Sequence, residues 1–234
     1  MTCVVTISAT YGAGGSLVAP AVAERLEVPF LDRAIPSAVA RRIGCTLAEA
    51  LARDDRAPTG IGRLLASAGR VPGGDLLRGA DTTFAGVCDA DGRLLHDRDF
   101  VAHTEQLIGA VGRVGGVVLG RAAAILLARH PTALHVRLDG PKERRLKQAA
   151  AMRDAAHEEA LMRGRVGDEP EWRPPTMREL EDNDRARAAY VQRFYRADAA
   201  EPSLYHLVLD STAVPLYTCV DVVERLARER AGEG

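Results

Sequence analysis

The chain has 234 residues, of which 47% are hydrophobic and 27% are charged, and its formal net charge is −1. These values are ordinary for a globular protein with one α/β core, and the near-neutral charge argues against a general electrostatic grip on nucleic acid. The positive charge is almost entirely arginine, since Lys142 and Lys147 are the only lysines. Arginine suits bidentate phosphate contacts, although skewed base composition of the gene gives the same bias.

The cysteines are not paired at metal-ligand or redox spacing, which fits a reducing compartment. There are four of them: Cys3, Cys45, Cys88 and Cys219. The N-terminal residues lack the basic and apolar regions of a signal peptide. The most apolar later stretch, residues 117–128, contains Arg121 and is too short to span a bilayer. We therefore expect a cytoplasmic protein with no membrane or nucleic-acid partner. The histidines form no cluster along the sequence, so no role follows for them.

Short apolar runs alternate with longer helical patterns along the chain. The runs are apolar throughout, as expected for strands of a parallel sheet that are buried on both faces. They predict strands at residues 3–8, 116–119, 133–138 and 205–210, with a weaker strand at 28–31. The helical patterns predict helices near residues 15–27, 34–44, 47–53, 98–113, 121–129, 141–157, 176–196 and 215–230. This alternation predicts an α/β fold, a five-stranded parallel sheet flanked by helices.

Two irregular segments interrupt the alternation. Residues 70–98 are rich in glycine and aspartate and show no clear period, and residues 164–175 contain charges, the only tryptophan (Trp172) and a proline pair. Long irregular segments in a regular chain are often lids or substrate loops, but a plain surface insertion explains them equally well.

The strongest local signal directly follows the first predicted strand. Residues 9–16 read Ala-Thr-Tyr-Gly-Ala-Gly-Gly-Ser and lead into a helical pattern. A glycine-rich turn between a strand and a helix exposes backbone amides at the positive end of the helix dipole, which makes an anion site. Against the phosphate-loop pattern G-x-x-x-x-G-K-[ST], Gly14 and Ser16 match, whereas Ala9 replaces the first glycine and Gly15 the lysine. Ser16 is then placed to bind magnesium, although such a turn also serves tight packing alone.

The chain resembles the cytidylate kinase-like family, a branch of the P-loop nucleoside monophosphate kinases, over nearly its whole length and least at about residues 50–100. The resemblance begins with the glycine-rich turn and with Val-Pro-Phe-Leu-Asp-Arg at residues 28–33. It continues with Val-Val-Leu-Gly-Arg at 117–121, His-Val-Arg-Leu at 135–138, Pro-Lys-Glu-Arg-Arg at 141–145, Asp-Arg-Ala-Arg at 184–187 and Tyr-His-Leu-Val-Leu-Asp-Ser-Thr at 205–212. The chain departs from classical cytidylate kinases in lacking the loop lysine, and in carrying Leu119 and Ala122 at two acidic positions.

The resemblance implies one P-loop kinase-like domain over residues 1–234, three-layered, with a variable substrate-side insertion at about 50–113 and a lid at about 154–187. It implies ATP and Mg²⁺ as cofactors and a small-molecule phosphate acceptor, with CMP or dCMP as the first candidate. A homo-oligomer is compatible with it.

The resemblance also implies a set of site residues. The donor phosphates are assigned to the turn residues Gly12, Ala13, Gly14, Gly15 and Ser16, with Ser16 as the magnesium ligand, and to Arg145 and Arg153. Catalysis is assigned to Arg121, Arg185 and Arg187, and acceptor binding to Arg121 and Asp32.

Several assignments outside the turn have a structural alternative. Arg121 is either an acceptor ligand at a strand end or an ordinary surface arginine. Asp32 either binds the acceptor or caps a helix near Ala34, and residues 182–193 form either a lid or a solvated helix face. Two functions therefore stay open: an ATP-dependent phosphotransferase, and a nucleotide-binding regulatory or scaffold protein that has lost the chemistry.

Overall fold

A parallel sheet with helices on both faces is the framework of the protein. The structure, a computed structural model, describes residues 3–31, 97–120, 122–162 and 173–232. Its first elements are β1 (Val4–Ala9), α1 (Gly15–Arg25), β2 (Phe30–Leu31), α2 (Asp97–Val114), β3 (Gly116–Leu119) and α3 (Ala123–Leu126). They are followed by β4 (Ala133–Asp139), α4 (Lys142–Met162), α5 (Met177–Tyr195), a 3-10 turn (Pro202–Leu204), β5 (Leu207–Asp210) and α6 (Leu216–Ala231).

The five strands are all parallel and lie in the order β2-β3-β1-β4-β5. The central strand is β1, in which Ile7 pairs with Leu119 of β3 and with Val136 of β4. Because the strands are parallel, their carboxyl ends meet at one edge, where α/β folds bind ligands. The predicted five-stranded parallel sheet flanked by helices is therefore confirmed, and the glycine-rich turn between β1 and α1 lies at this edge.

The sheet is buried on both faces because successive residues of β1 alternate between two apolar layers. On one face Val5 and Ile7 pack with Val18 of α1 and Val223 of α6. The other face uses Val4 in a smaller cluster with residues of α2, α3 and the neighbouring strands: Ile108, Val111, Val118, Ala123, Leu127 and Ala133. Continuous apolar runs are therefore what these strands require.

Several predicted boundaries differ from the structure by one to five residues, and three of these differences are the following. The helix predicted at 121–129 is only the short α3, since Ala122 before it has a left-handed φ of 56°. The strand predicted at 205–210 begins at Leu207, because a 3-10 turn capped by Glu201 precedes it. Helix α4 runs to Met162, five residues beyond the predicted end at 157.

Several predictions fall on residues that lie outside the described ranges. These are the helices at 34–44 and 47–53, nearly all of the irregular segment 70–98, and residues 163–172 of the predicted lid. The rest of the predicted lid, 154–187, consists of the end of α4, the four residues 173–176 and the beginning of α5. Across the described ranges, no helix combines the length and the hydropathy that crossing a membrane requires.

Candidate functional site

The glycine-rich turn forms a tight, buried bend between β1 and α1. The Ala13 amide donates to the Thr10 carbonyl over 3.1 Å, and the Gly14 carbonyl accepts the Leu17 and Val18 amides that begin the helix. Gly12 has a φ of 75°, and a Cβ at this position would lie 2.3 Å from the carbonyl oxygen of Arg145. Glycine is therefore required at residue 12, because the turn packs directly against the backbone of α4.

Neighbouring side chains hold the carbonyl groups of this turn. Arg145 Nη1 donates to the Tyr11 carbonyl over 2.9 Å. Gln148 Nε2 donates to the Gly12 carbonyl over 3.0 Å, and Ser211 Oγ donates to the Ala13 carbonyl over 2.7 Å. The turn is thus fixed by donors on α4 and after β5, which keeps its carbonyl oxygens engaged and away from an incoming anion.

The amides at the start of α1 are the donors that an anion would meet. The first amides of a helix have no partner within that helix, and the amides of Gly14, Gly15 and Ser16 have no acceptor among the described residues. They point from the positive end of the helix dipole, at the carboxyl edge of the sheet. This arrangement of donors suits a phosphate group.

The side chain of Ser16 is the second feature, after the amides at the start of α1, that indicates a ligand site. Its Oγ is buried and has no hydrogen-bond partner among the described residues. A buried hydroxyl without a partner is uncommon and costs free energy. A hydroxyl in the first turn after a phosphate loop is the group that binds Mg²⁺ in the P-loop pattern, so the residues present fit a magnesium ion held with phosphate oxygens.

Arg145 and Arg153, both assigned to the donor phosphates from the sequence, lie on α4 beside the turn. Arg145 is only 4% exposed and donates to the Tyr11 and Gly140 carbonyls and to Asp184. Arg153 donates to the Tyr11 hydroxyl and to Glu179. In the structure both guanidinium groups donate hydrogen bonds to Tyr11 of the turn from α4. Their contact with phosphate stays a prediction.

The two arginines of α5 that were assigned to catalysis lie in different surroundings. Arg185 is 64% exposed at its side chain and pairs with Asp182 one turn earlier. Arg187 instead reaches the end of β1, just before the turn, where it donates to the Ala9 carbonyl and to Ser8 Oγ. Residues two apart on a helix face different directions, which is why only Arg187 meets the phosphate loop.

Tyr11 and Asp184 are functional candidates that the sequence analysis missed. The Tyr11 amide donates to Asp184 Oδ1 over 3.0 Å, while Asp184 Oδ2 accepts Arg145 over 2.9 Å. The Tyr11 ring is buried with Met152 of α4 and Leu180 of α5. Tyr11 therefore joins the turn to both helices. The sequence could have indicated this role, because Tyr11 is a large aromatic residue in a turn made otherwise of small residues.

Asp139, at the end of β4, is a second carboxylate beside the turn that the sequence analysis missed. It accepts the Thr10 hydroxyl over 2.9 Å and the Arg137 guanidinium over 2.6 Å. Burial alone would raise the pKa of Asp139, but hydrogen bonds from Arg137, the Gly140 amide and Thr10 bring that pKa below its ordinary value. The Asp139 carboxylate thus stays ionised next to Thr10, the first residue after β1.

The two acceptor residues expected from the sequence, Arg121 and Asp32, lie outside the described residues. Gly120, just before Arg121, donates its amide to the Ile7 carbonyl over 2.8 Å. Gly120 therefore lies at the carboxyl edge of the sheet, next to β1.

Comparison with solved structures found several chains that are similar to this one, and the first of those below shares its fold. An uncharacterized protein from Eubacterium ventriosum has 14% sequence identity, covers 97% of this chain and 98% of its own, and superposes with a TM-score of 0.57. Shikimate kinase from Bacteroides thetaiotaomicron has 14% identity, 97% coverage of each chain and a TM-score of 0.44. Shikimate kinase from Acinetobacter baumannii in complex with shikimate has 13% identity, covers 99% of this chain and 94% of its own, with a TM-score of 0.44.

No curated protein matches the chain in sequence. The model of one sequence family, however, matches residues 4–213, which run from the first residue of β1 to just beyond β5. The strand, turn and helix described above, and the arginines of α4 and α5, all lie inside this match. The chain belongs to the cytidylate kinase-like family.

Proposed function

We propose that the protein is a phosphotransferase that uses ATP and Mg²⁺ to phosphorylate a nucleoside monophosphate, with CMP and dCMP as the first candidate acceptors. Family membership supports the coarser part of this statement, a kinase-type phosphotransferase. The donor, the metal and the acceptor are argued from the residues of the site.

The assignment of a nucleoside triphosphate as the phosphate donor rests on the backbone amides at the start of α1. Three consecutive amides, those of Gly14, Gly15 and Ser16, have no acceptor among the described residues at the positive end of a helix of 11 residues. The partial positive charge there is roughly half an elementary charge. A triphosphate is the nucleotide group that matches such a row of donors.

Ser16 supports magnesium as the partner of that triphosphate. Within the described ranges, no group of three His, Cys, Asp or Glu residues is placed to hold a metal ion. Mg²⁺ commonly binds through one or two protein ligands and completes its shell with phosphate oxygens and water, so a single buried hydroxyl is sufficient here. When bound, the ion neutralises the charge that develops on the donor phosphates.

The proposed reaction needs positioning more than covalent help from the protein. An anionic oxygen of the acceptor phosphate attacks the γ-phosphorus of ATP while the bond to the bridging oxygen breaks, leaving ADP and a nucleoside diphosphate. The turn holds the donor in place. Arg121, directly after β3, is assigned to the acceptor phosphate, and Asp32 to its sugar or base.

A coupled assay of ADP release tests the proposal. With Mg-ATP, we expect release that depends on CMP or dCMP and exceeds release with UMP or AMP. Arg121→Ala should raise the acceptor KM about 10- to 100-fold, because charge-assisted hydrogen bonds contribute about 1.5–3 kcal/mol. The donor KM should stay unchanged. No acceptor-dependent ADP release with any of the four nucleotides would contradict the proposal.

One observation favours a second function, a nucleotide-binding protein without kinase activity. The phosphate loop has Gly15 where the P-loop pattern has the lysine that reaches the β- and γ-phosphates. A protein of this kind binds Mg-ATP but does not release ADP with any acceptor. Measuring binding and turnover on the same preparation therefore separates the two functions.

A further inference from the structure

We infer that Tyr205 is a positioning residue of the candidate site, and that it acts through Ser8 on the guanidinium of Arg187. The inference rests on the proposed function, because phosphoryl transfer needs positive charge held in a fixed place. Ser8 is the last residue but one of β1, Arg187 lies on α5, and Tyr205 directly precedes the last strand of the sheet. Neither Ser8 nor Tyr205 was assigned to the site from the sequence.

A chain of hydrogen bonds with a fixed direction joins the three residues. Arg187 Nη2 donates to Ser8 Oγ. Ser8 Oγ lies 2.9 Å from Tyr205 Oη, which donates to the Ala199 carbonyl over 2.8 Å. A phenol has one proton, and the carbonyl takes it, so the Tyr205 hydroxyl can only accept from Ser8. Ser8 therefore donates its own proton to Tyr205 and turns a lone pair toward Arg187.

The buried Arg137 of β4 fixes the far end of this chain. Arg137 is 8% exposed, and its Nη1 also donates to the Ala199 carbonyl. Its Nε and Nη2 both donate to Asp139. Its guanidinium carbon lies 5.8 Å from the centre of the Tyr205 ring, close enough for an attraction between the cation and the ring. The Tyr205 hydroxyl is therefore placed by groups that are themselves held in position.

Two contacts of Arg187 at the end of β1 differ in kind. Its Nη1 donates to the Ala9 carbonyl, a backbone group that no substitution removes, whereas its Nη2 donates to the side chain of Ser8. Without the Tyr205 hydroxyl, Ser8 loses the acceptor that orients its proton, and its lone pair is no longer directed at Arg187. The guanidinium then keeps its charge and its contact with Ala9, but loses the contact that sets its direction.

The direction of such a group matters more for catalysis than for binding. The planar donor fork of a guanidinium matches phosphate oxygens only in a suitable orientation. In a reacting site, misplacement by about 1 Å can cost about 100-fold in rate. The positive charge that attracts a nucleotide, in contrast, is unchanged. Loss of the Tyr205 hydroxyl should therefore lower kcat and leave the KM values near those of the wild type.

Kinetics of ADP release, with Mg-ATP and whichever of CMP, dCMP, UMP or AMP the wild type phosphorylates, test the inference. Tyr205→Phe and Ser8→Ala should each lower kcat about 10-fold. The double variant should lose no more than either single variant, because both interrupt the same chain. Both KM values should stay within about 2-fold of the wild type. The control is Tyr217→Phe, which removes the same hydroxyl from a tyrosine of α6 that is 68% exposed, and its kinetics should equal those of the wild type.

Arg187→Lys provides a readout that a merely structural role of Tyr205 would not change. An ammonium is a point charge without a planar fork, so it depends less on being oriented. Adding Tyr205→Phe to Arg187→Lys should therefore lower kcat by less than about 3-fold, compared with about 10-fold in the wild-type background. Melting curves establish that each variant is folded. If Tyr205→Phe melts below the assay temperature, Ser8→Ala takes its place in the same comparison.

The outcomes separate this inference from the proposed function. If the wild type releases ADP and Tyr205→Phe has the same kcat, the inference is overturned and the proposed function stands. The same conclusion follows if the variant raises KM without lowering kcat, or loses as much activity beside Arg187→Lys as alone. If the wild type releases no ADP with any acceptor, the proposed function fails and the positioning role of Tyr205 fails with it.

Discussion

At the scale of single residues, the least expected feature is a pair of stacked histidines. His135 on β4 and His206 before β5 lie 71 positions apart in sequence, and their rings stack at 4.9 Å. His135 is 3% exposed, and its Nδ1 lies 2.8 Å from Thr6 Oγ1. The sequence analysis found no histidine cluster, because the pairing of β4 with β5 is what brings these rings together.

Burial and the neighbouring His206 lower the pKa of His135 to about 4. Its pKa in the unfolded chain is about 6.5, so the unfolded state takes up a proton first as the pH falls. The stability contributed by neutral His135 is therefore complete above pH ~6.5 and is lost as the pH falls toward ~4, up to ~3 kcal/mol. Burial also lowers the pKa of His206, which adds in the same direction.

Urea unfolding measured across this pH range checks the prediction. The free energy of unfolding of the wild type should decrease steadily between pH ~6.5 and ~4, and His135→Gln should remove most of that decrease. The same pH dependence in His135→Gln as in the wild type would show that other groups cause it.

At the scale of elements, the contact of α4 and α5 with the phosphate loop holds the site together. Arg145 of α4 and Asp184 of α5 bind the carbonyl and the amide of Tyr11, respectively, and also each other. The Arg145 side chain is 5% exposed and that of Asp184 is 23% exposed. An ion pair this deeply placed depends on both partners, because losing one leaves a buried charge.

A matched pair of carboxylate-to-amide variants on α5 tests this contact. Asp184→Asn should lower the free energy of unfolding by about 1–3 kcal/mol, because the Arg145 guanidinium loses the nearer of its two carboxylate partners and keeps only Asp139 at 3.7 Å. Glu181→Gln removes the Lys142–Glu181 pair between the same two helices, whose side chains are 51% and 40% exposed. That change should cost less than about 1 kcal/mol. Equal losses in urea unfolding would contradict a structural role for Asp184.

The elements themselves were largely predictable, whereas the directions of side chains were not. The runs at β1, β3 and β4 are apolar throughout, so burial on both faces fixed them as strands. The four arginines of α4 and α5 that were assigned to the site look alike in sequence, since all four lie in helical patterns with acidic residues nearby. Only the packing of the helices shows that Arg145 and Arg153 donate to Tyr11 of the loop. It also shows that Arg185 stays exposed, whereas Arg187 donates to the Ala9 carbonyl.

At the scale of the whole molecule, the sheet order places β1 at the centre and the phosphate loop at the middle of the carboxyl edge. Chain segments after β3, β4 and β5 reach the same edge, and α5 covers it from one side. A nucleotide bound at the start of α1 is therefore within reach of several independent segments. Under the proposed function, this edge binds Mg-ATP through the amides of Gly14, Gly15 and Ser16.

Calorimetric titration of the wild type and Ser16→Ala with ATP, each in excess magnesium and in EDTA, tests that claim most directly. We expect saturable binding by the wild type that weakens when magnesium is removed. Ser16→Ala should keep its affinity in EDTA and lose most of the gain from magnesium, since it lacks the hydroxyl ligand and retains the amides. Absence of binding by the wild type up to millimolar Mg-ATP would show that the start of α1 is not a nucleotide site.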